Sequence, residues 1–246
     1  MLFIQSNSVF AQSTQQTNSS SNPDKVSKTK KPESEEKQEK PLDFSDTGRP
    51  GQQTAGESRG NCVDADRPIE AIVPVSHGGK TVSAHPSFWV YFPQNLAELS
   101  RVEFVVQNEA REDVWRSQFP AQEISGYTSF SLPQTEPSLE VGQWYRWYVK
   151  IYCGSAVASN QYIQSWVKRV PINSRLYLGL EDDFSQPHQT YGEQGIWYDA
   201  IDQLLKKYLR NPGSLALEKD WQNLIEAQGV ELDTLPSVGT IYEAVN

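Results

Sequence analysis

An alternation of aromatic and cationic side chains in residues 143–153 is the feature of this sequence best suited to bind a ligand. Successive residues of a β-strand point to opposite faces of a sheet. If this segment is a strand, one of its faces carries Trp144, Arg146, Tyr148, Lys150 and Tyr152. Sugar rings stack on flat aromatic rings, and a cation over such a ring contributes about 0.5–1 kcal/mol. The segment therefore predicts a binding face, unless cross-strand neighbours or C-terminal helices cover it.

Catalytic and cofactor-binding motifs are missing from the sequence. It contains no G-x-S-x-G, H-E-x-x-H, P-loop or G-x-G-x-x-G pattern. His77 and His85 flank a predicted turn, but no cysteine or carboxylate stands beside them at the spacing of metal ligands. The acidic residues 181–183 lack the one-three-five spacing of a calcium loop and are interpreted as a solvated helix end. We therefore predict no catalytic residue, no metal ion and no cofactor.

Cys62 and Cys153 are the two cysteines of the chain. Disulfides persist in exported proteins, so in such a protein the two would form a bond that closes a loop of about 90 residues. In the chain-entropy model this loop closure contributes roughly 4 kcal/mol to the free energy of unfolding. The alternative is that both residues are buried free thiols.

Residues 1–57 predict export followed by a flexible segment. Val9-Phe10-Ala11-Gln12 has the small-residue pattern that ends a secretory signal, with cleavage expected after Ala11. The apolar part before it is short, so we interpret it as the remnant of a truncated signal peptide. Residues 12–57 are rich in Ser, Gln, Lys, Glu and Pro, a composition typical of a disordered linker. The sequence contains no run of 18 apolar residues, so we expect no membrane span. The signal remnant predicts a periplasmic or extracellular location.

The negative charge is concentrated at the C-terminus. The chain has a net charge of −9, and residues 172–246 contain twelve acids and five bases, a net charge of −7. Such a segment repels phosphate backbones, so nucleic acid is not an expected partner. The acidic segment is interpreted as a solvated helical surface or as a docking face for a basic partner.

Residues 58–171 predict a β-sandwich of roughly seven strands. Short apolar runs alternate with turn residues, such as the expected turn at residues 77–80. Residues 86–92 (PSFWVYF) are apolar on both faces and predict a central strand. Leu139, Gly142 and Tyr145 resemble the tyrosine corner of immunoglobulin-like and fibronectin-type sandwiches, where the tyrosine hydroxyl bonds to the turn backbone.

Residues 172–246 predict an α-helical region that packs on the sandwich. Asn173-Ser174 can cap a short helix that runs through Leu180. The apolar residues of 196–209 form one stripe at helical spacing. Those of 217–225 form a second stripe, which follows the N-cap candidate Ser214 in the chain. Two helices joined by about four residues would form an antiparallel hairpin. The predicted fold class is therefore mainly β, an immunoglobulin/fibronectin-like sandwich followed by a small helical region.

A set of short motifs is distributed over about residues 58–235: Arg59-Gly60-x-Cys62, Ala71-Ile72-Val73-Pro74, PSFWVYFP at 86–93, EFVVQNE at 103–109, Leu139-Glu140-x-Gly142-x-x-Tyr145-x-Trp147, Cys153, and GIWYDA at 195–200. In combination these motifs resemble the domain of unknown function numbered 928, a family found mainly in cyanobacterial exported proteins. The resemblance implies an envelope location and a sandwich with helices. It implies no reaction.

Three hypotheses of function follow. The first is a non-catalytic binding or scaffold module of the cell envelope that presents a surface to another envelope or secreted protein. The second is a carbohydrate-binding module in which the face around Trp144 and Tyr148 holds a glycan. The third is an unrecognised hydrolase whose carboxylate pair is assembled from distant residues.

Overall fold

Nine strands in two mixed sheets, together with four helices, make up the described part of the chain. The computed structural model describes residues 41–46, 68–93, 99–121, 124–155, 161–232 and 235–244. The strands are β1 Glu70–Ala71, β2 Gly78–Thr81, β3 Ser87–Phe92, β4 Leu99–Gln107, β5 Asp113–Pro120, β6 Gly126–Ser131, β7 Trp144–Cys153, β8 Gln161–Arg169 and β9 Ile241–Ala244. The helices are α1 Ser174–Asp182, α2 Pro187–Glu193, α3 Trp197–Arg210 and α4 Leu215–Ile225.

The two sheets have the orders β1-β3-β6-β9 and β2-β8-β7-β4-β5. Most neighbouring strands are antiparallel, but β9 runs parallel to β6 and β2 runs parallel to β8. The prediction of a mainly β chain is confirmed. Each sheet is nevertheless mixed, because a segment distant in sequence adds one parallel strand at its edge.

Aromatic side chains join the two sheets. Phe88 of β3 contacts Phe104 of β4 and Trp147 of β7, with ring centres 5.2 and 5.4 Å apart. Phe130 of β6 stacks on Phe104 at 5.0 Å. These four rings are fully buried, and burying each contributes about 1.5–3 kcal/mol. The period-two alternation of β7 thus directs Trp147 and its neighbours into the core.

Strand β3 is buried on both faces, as its apolar sequence predicts. It lies between β1 and β6, and Phe88 points to the other sheet. On the opposite face the indole of Trp89 donates to Asp202 Oδ1 of α3 at 3.1 Å. The four-stranded sheet therefore forms a middle layer, with the second sheet on one side and helices on the other.

Helices α1 and α4 begin at the predicted N-caps, whereas α2 was not predicted. Asn173 Oδ1 accepts from Leu176 N at 2.8 Å, and the hydroxyl of Ser214 caps α4. The indole of Trp197 in α3 donates to Ile72 O at 2.8 Å, and Trp221 of α4 contacts Tyr127 of β6 edge-on. The apolar stripes of α3 and α4 are therefore buried against the β-layers. Among the described helices, none is long and apolar enough to cross a membrane.

The predicted tyrosine hydrogen bond is confirmed. Tyr145 begins β7 after a turn in which Gly142 has a φ of +89°, a conformation that favours glycine. The Tyr145 hydroxyl accepts from Glu140 N at 2.8 Å. This bond attaches the start of β7 to the turn before it.

The prediction of a turn at residues 77–80 is wrong for residues 78–80. Gly78–Thr81 form β2, which pairs in parallel with Trp166–Arg169 of β8. A Cβ added at Gly79 would lie 3.0 Å from the ring of Tyr198. Gly79 therefore allows α3 to pack closely on this strand, a role that local sequence does not distinguish from a turn.

Two further segments differ from the sequence-based expectation. The sequence predicts a helical region over residues 172–246, yet Ile241–Ala244 form β9 on the four-stranded sheet. Residues 41–46 fall in the predicted linker, but Phe44 is 4% exposed and contacts Trp197 edge-on at 4.9 Å. Its amide also donates to Gln228 O at 2.9 Å. A buried aromatic residue and a backbone hydrogen bond therefore hold this short segment against the helical layer. The other residues of the predicted signal remnant and linker lie outside the described part.

Candidate functional site

The outer face of the five-stranded sheet contains the five residues predicted from sequence. We call it the aromatic–cation face and define it by Arg101 and Glu103 of β4, Arg116 of β5, Trp144, Arg146, Tyr148, Lys150 and Tyr152 of β7, and Tyr162, Gln164, Trp166 and Lys168 of β8. Strand β7 lies between β4 and β8, so each of its outer side chains has a cross-strand neighbour. Arg146 lies opposite Trp166, and Tyr152 lies opposite Arg101.

Three cations of this face lie over aromatic rings. The guanidinium carbon of Arg101 lies 3.8 Å from the ring centre of Tyr152. That of Arg146 lies 4.7 Å from the ring centre of Trp166, and Lys168 Nζ lies 5.6 Å from that of Trp144. Each ring attracts the cation above it and restricts where that cation can move. The face therefore holds its positive charges in defined positions.

A buried carboxylate organises the centre of the face. Glu103 is 6% exposed, accepts from Lys150 Nζ at 3.0 Å and from Gln118 Nε2 at 3.2 Å, and also pairs with Arg116. Burial alone would raise the pKa of Glu103. The hydrogen bonds from Lys150 and Gln118 and the charges of Lys150 and Arg116 outweigh burial, so the pKa lies below its ordinary value.

The exposed groups of this face are mainly cationic. Trp144 is only 8% exposed and Tyr152 only 7% exposed, whereas Tyr148 is half-buried. Lys168 and Arg101 cover the two buried rings, so their flat faces are not open platforms for a sugar. The half-exposed guanidinium and ammonium groups remain accessible. Arg groups of this kind bind carboxylates with paired, charge-assisted hydrogen bonds.

A cleft of about 340 Å³ adjoins the aromatic–cation face. Tyr162 and Gln164 of β8 belong to both surfaces. The other side of the cleft includes Val73, Val230 and Leu232, so it is partly apolar. A ligand on the face could extend an apolar group into this cleft, the combination of charged and apolar contacts common at protein interfaces.

The histidines occupy two kinds of environment. His77 is exposed, and His85 is half-buried with Nε2 3.1 Å from Glu136 O. His188 is 3% exposed, not a solvent-exposed loop residue, and its Nε2 lies 2.9 Å from Asp220 Oδ2. Burial lowers the pKa of His188, against the opposing effect of Asp220. Within the described residues, no group of three or more His, Cys, Asp or Glu side chains could hold a metal ion.

Asp199 at the start of α3 is a second group that sequence reasoning missed. Part of the residue reaches solvent, but its carboxylate is enclosed by protein and accepts from Val82 N at 3.1 Å. Burial raises its pKa to about 6, although hydrogen bonds from Thr81 and Val82 partly oppose the increase. Its only sequence signal is a carboxylate in the first turn of an amphipathic helix, which is a common capping position.

Cys153 ends β7 on the core side and is 7% exposed. Its predicted partner Cys62 lies outside the described residues. The Cys62–Cys153 pair therefore stays a prediction.

Comparisons with known proteins identify the family of the chain. No curated protein matches the sequence. One family profile matches residues 54–237, which is most of the chain. This match confirms the family resemblance drawn from the motifs: the chain belongs to the family described as Domain of Unknown Function (DUF928).

Proposed function

We propose that this protein is a non-catalytic binding module of the cell envelope that holds an acidic segment of a partner protein on the aromatic–cation face. The observation that carries the proposal is the row of cations supported by aromatic rings. Arg101, Arg146 and Lys168 form no ion pair with a described carboxylate, and each lies over a ring. Positioned cations lose little freedom on binding, which favours affinity.

The charge of the face supports an acidic partner. The chain has a net charge of −9, yet this face carries five cations and the carboxylate Glu103, and a second carboxylate, Asp113, pairs with Arg116 at 2.8 Å at its edge. The cations are Arg101, Arg116, Arg146, Lys150 and Lys168. A basic surface on an acidic protein attracts and orients an acidic partner, because the rest of the molecule repels it.

A carbohydrate ligand is the second candidate. The rings of Tyr148 and Tyr162 are half-buried, with centres 6.3 Å apart. They could support one sugar ring. The burial of Trp144 and Tyr152 leaves fewer open rings than the sequence alone suggests, so we rank this candidate below the acidic protein segment.

The finer fold class is also part of the proposal. We infer an immunoglobulin/fibronectin-like sandwich with two added parallel strands, supported by the bond between Tyr145 and Glu140 N. The four residues between α3 and α4 support an antiparallel hairpin. An experimental structure compared with known sandwiches would test both.

Titration of the full chain with short labelled ligands tests the proposed function. The probes are a Glu/Asp-rich peptide, a Lys-rich peptide of equal length and a neutral oligosaccharide. We expect the acidic peptide alone to bind, and the triple substitution Arg101→Gln, Arg146→Gln, Lys168→Gln to raise its Kd at least about tenfold, equal to about 1.4 kcal/mol. The control is Arg111→Gln, an exposed arginine on the β4–β5 turn. Binding of the oligosaccharide alone, or an equal effect of Arg111→Gln, would contradict the proposal.

A further inference from the structure

Helix α1 exposes apolar side chains to solvent. Tyr177 is 54% exposed and Leu178 is 60% exposed, and only Leu176 of this helix is buried. Ile172 before the helix and Phe184 after it are 54% and 79% exposed. Exposed large apolar side chains grouped on one element commonly mark interaction sites. None of these residues belongs to the aromatic–cation face.

The charges of α1 are opposite to those that stabilise an isolated helix. Acids favour the first turn of a helix and bases favour the last turn, because of the helix dipole. In α1, Arg175 lies in the first turn, whereas Glu181 and Asp182 lie in the last turn. This arrangement weakens the isolated helix. It becomes favourable if a neighbouring helix of opposite direction compensates the charges.

The spacing on α1 makes one face self-complementary. Arg175, Leu178 and Asp182 stand at i, i+3 and i+7, so they share a face. At a rise of about 1.5 Å per residue, Arg175 and Asp182 are about 10 Å apart along the axis. They are therefore too distant to pair within one helix. In an antiparallel pair of α1 helices, Arg175 of each copy would meet Asp182 of the other, with Leu178 between them.

We propose that α1 is a self-association surface through which two copies of this chain pair antiparallel about a twofold axis. A twofold interface requires a patch that complements itself, and the order cation, apolar residue, acid along this face meets that requirement. The acidic residues Glu181, Asp182 and Asp183 oppose an anionic lipid surface as the alternative occupant. This inference is independent of the ligand proposed for the aromatic–cation face.

Sedimentation velocity of the full chain over about 1–100 µM tests the inference, since weak dimers form in this range. We expect a concentration-dependent species of twice the 27.8 kDa monomer mass. Arg175→Glu or Asp182→Arg alone should raise the dimer Kd at least about tenfold, and the double charge swap should restore it. Leu178→Asp should abolish the dimer. Lys219→Glu, an exposed cation of α4, is the matched control and should have no effect.

The results distinguish a dimer that forms through α1 from a monomer and from a dimer that forms through another surface. All substituted side chains are exposed, and circular dichroism with thermal unfolding checks that each variant stays folded. A chain that is monomeric at every concentration would overturn the inference. A dimer that tolerates Leu178→Asp, or a charge swap that fails to restore the affinity, would also overturn it.

Discussion

The guanidinium of Arg101 lies 3.8 Å above the ring centre of Tyr152, its cross-strand neighbour on β7. The contact covers a ring that is only 7% exposed and fixes a cation at the surface. Arg146 over Trp166 and Lys168 over Trp144 repeat the arrangement along the same sheet. The aromatic residues of this face therefore act mainly as supports for positive charge.

Removing the ring of Tyr152 should weaken binding of an acidic peptide. We expect Tyr152→Leu to raise the Kd by about two- to fivefold, since a cation–π contact contributes about 0.5–1 kcal/mol. Tyr152→Phe keeps the ring and is the matched control, with an affinity near wild type. Titration by fluorescence anisotropy measures both. If the two variants bound equally well, the ring would have no role in positioning Arg101.

Neutralising Glu103 should destabilise the fold at neutral pH. Glu103→Gln leaves Lys150 and Arg116 without their shared carboxylate, and we expect a loss of about 1–2 kcal/mol, because both cations remain partly solvated. The folded pKa of Glu103 is below the ordinary value of 4.5, so its stabilisation is present above pH 4.5 and is lost as pH falls through the folded pKa. Urea unfolding at pH 7 and pH 3 measures the difference. A loss of equal size at both pH values would argue against this electrostatic role.

Asp199 should give the opposite pH dependence. The pKa of Asp199 in the folded protein, about 6, is above the ordinary value of 3.8. The contribution of Asp199 to the free energy of unfolding is therefore complete below pH 3.8 and is lost as the pH rises through 6. We expect Asp199→Asn to increase the free energy of unfolding at pH 8 by about 1–3 kcal/mol relative to wild type, with little effect at pH 3.5. Glu226→Gln, an exposed acid just after α4, is the control. Destabilisation by Asp199→Asn at pH 8 would refute the prediction.

The predicted disulfide can be tested by mass. When the non-reduced protein is unfolded in denaturant and alkylated, we expect neither Cys62 nor Cys153 to be labelled. When it is reduced first, we expect both thiols to be labelled. Closing a loop of about 90 residues predicts that reduction lowers the free energy of unfolding by roughly 4 kcal/mol. Two labelled thiols without reductant would exclude the bond.

The sequence predicts those parts of the structure that depend on local periodicity. The alternation in β7, the stripes of α3 and α4 and the bond from Glu140 N to Tyr145 follow from residues close together in the chain. Strand β2 could not be predicted, because Gly78–Thr81 become a strand by pairing in parallel with Trp166–Arg169, which are distant in the chain. Strand β9 depends on a similar distant contact, since a Cβ on Gly126 would lie 2.3 Å from Thr240 O.

The sequence predicts which residues of β7 form the candidate site, but not whether their rings are exposed. Period two identifies the five outer residues of β7. Whether their rings are open depends on Arg101 and Lys168, which neighbouring strands bring to the face. The burial of Glu103 likewise depends on cations from β5 and β7. Such cross-strand partners follow from the register, which the sequence does not specify.

Site-specific photo-crosslinking in the native cell envelope tests the central claim most directly. A photoreactive phenylalanine would replace Tyr148 on the aromatic–cation face, and Tyr242 of β9, an exposed tyrosine on the other sheet, would be the control position. We expect position 148, and not position 242, to crosslink to an acidic segment of another envelope protein. Added salt should weaken this crosslink, because it screens exposed charges. Equal crosslinking from both positions, or a salt-insensitive glycan adduct at position 148, would contradict the account.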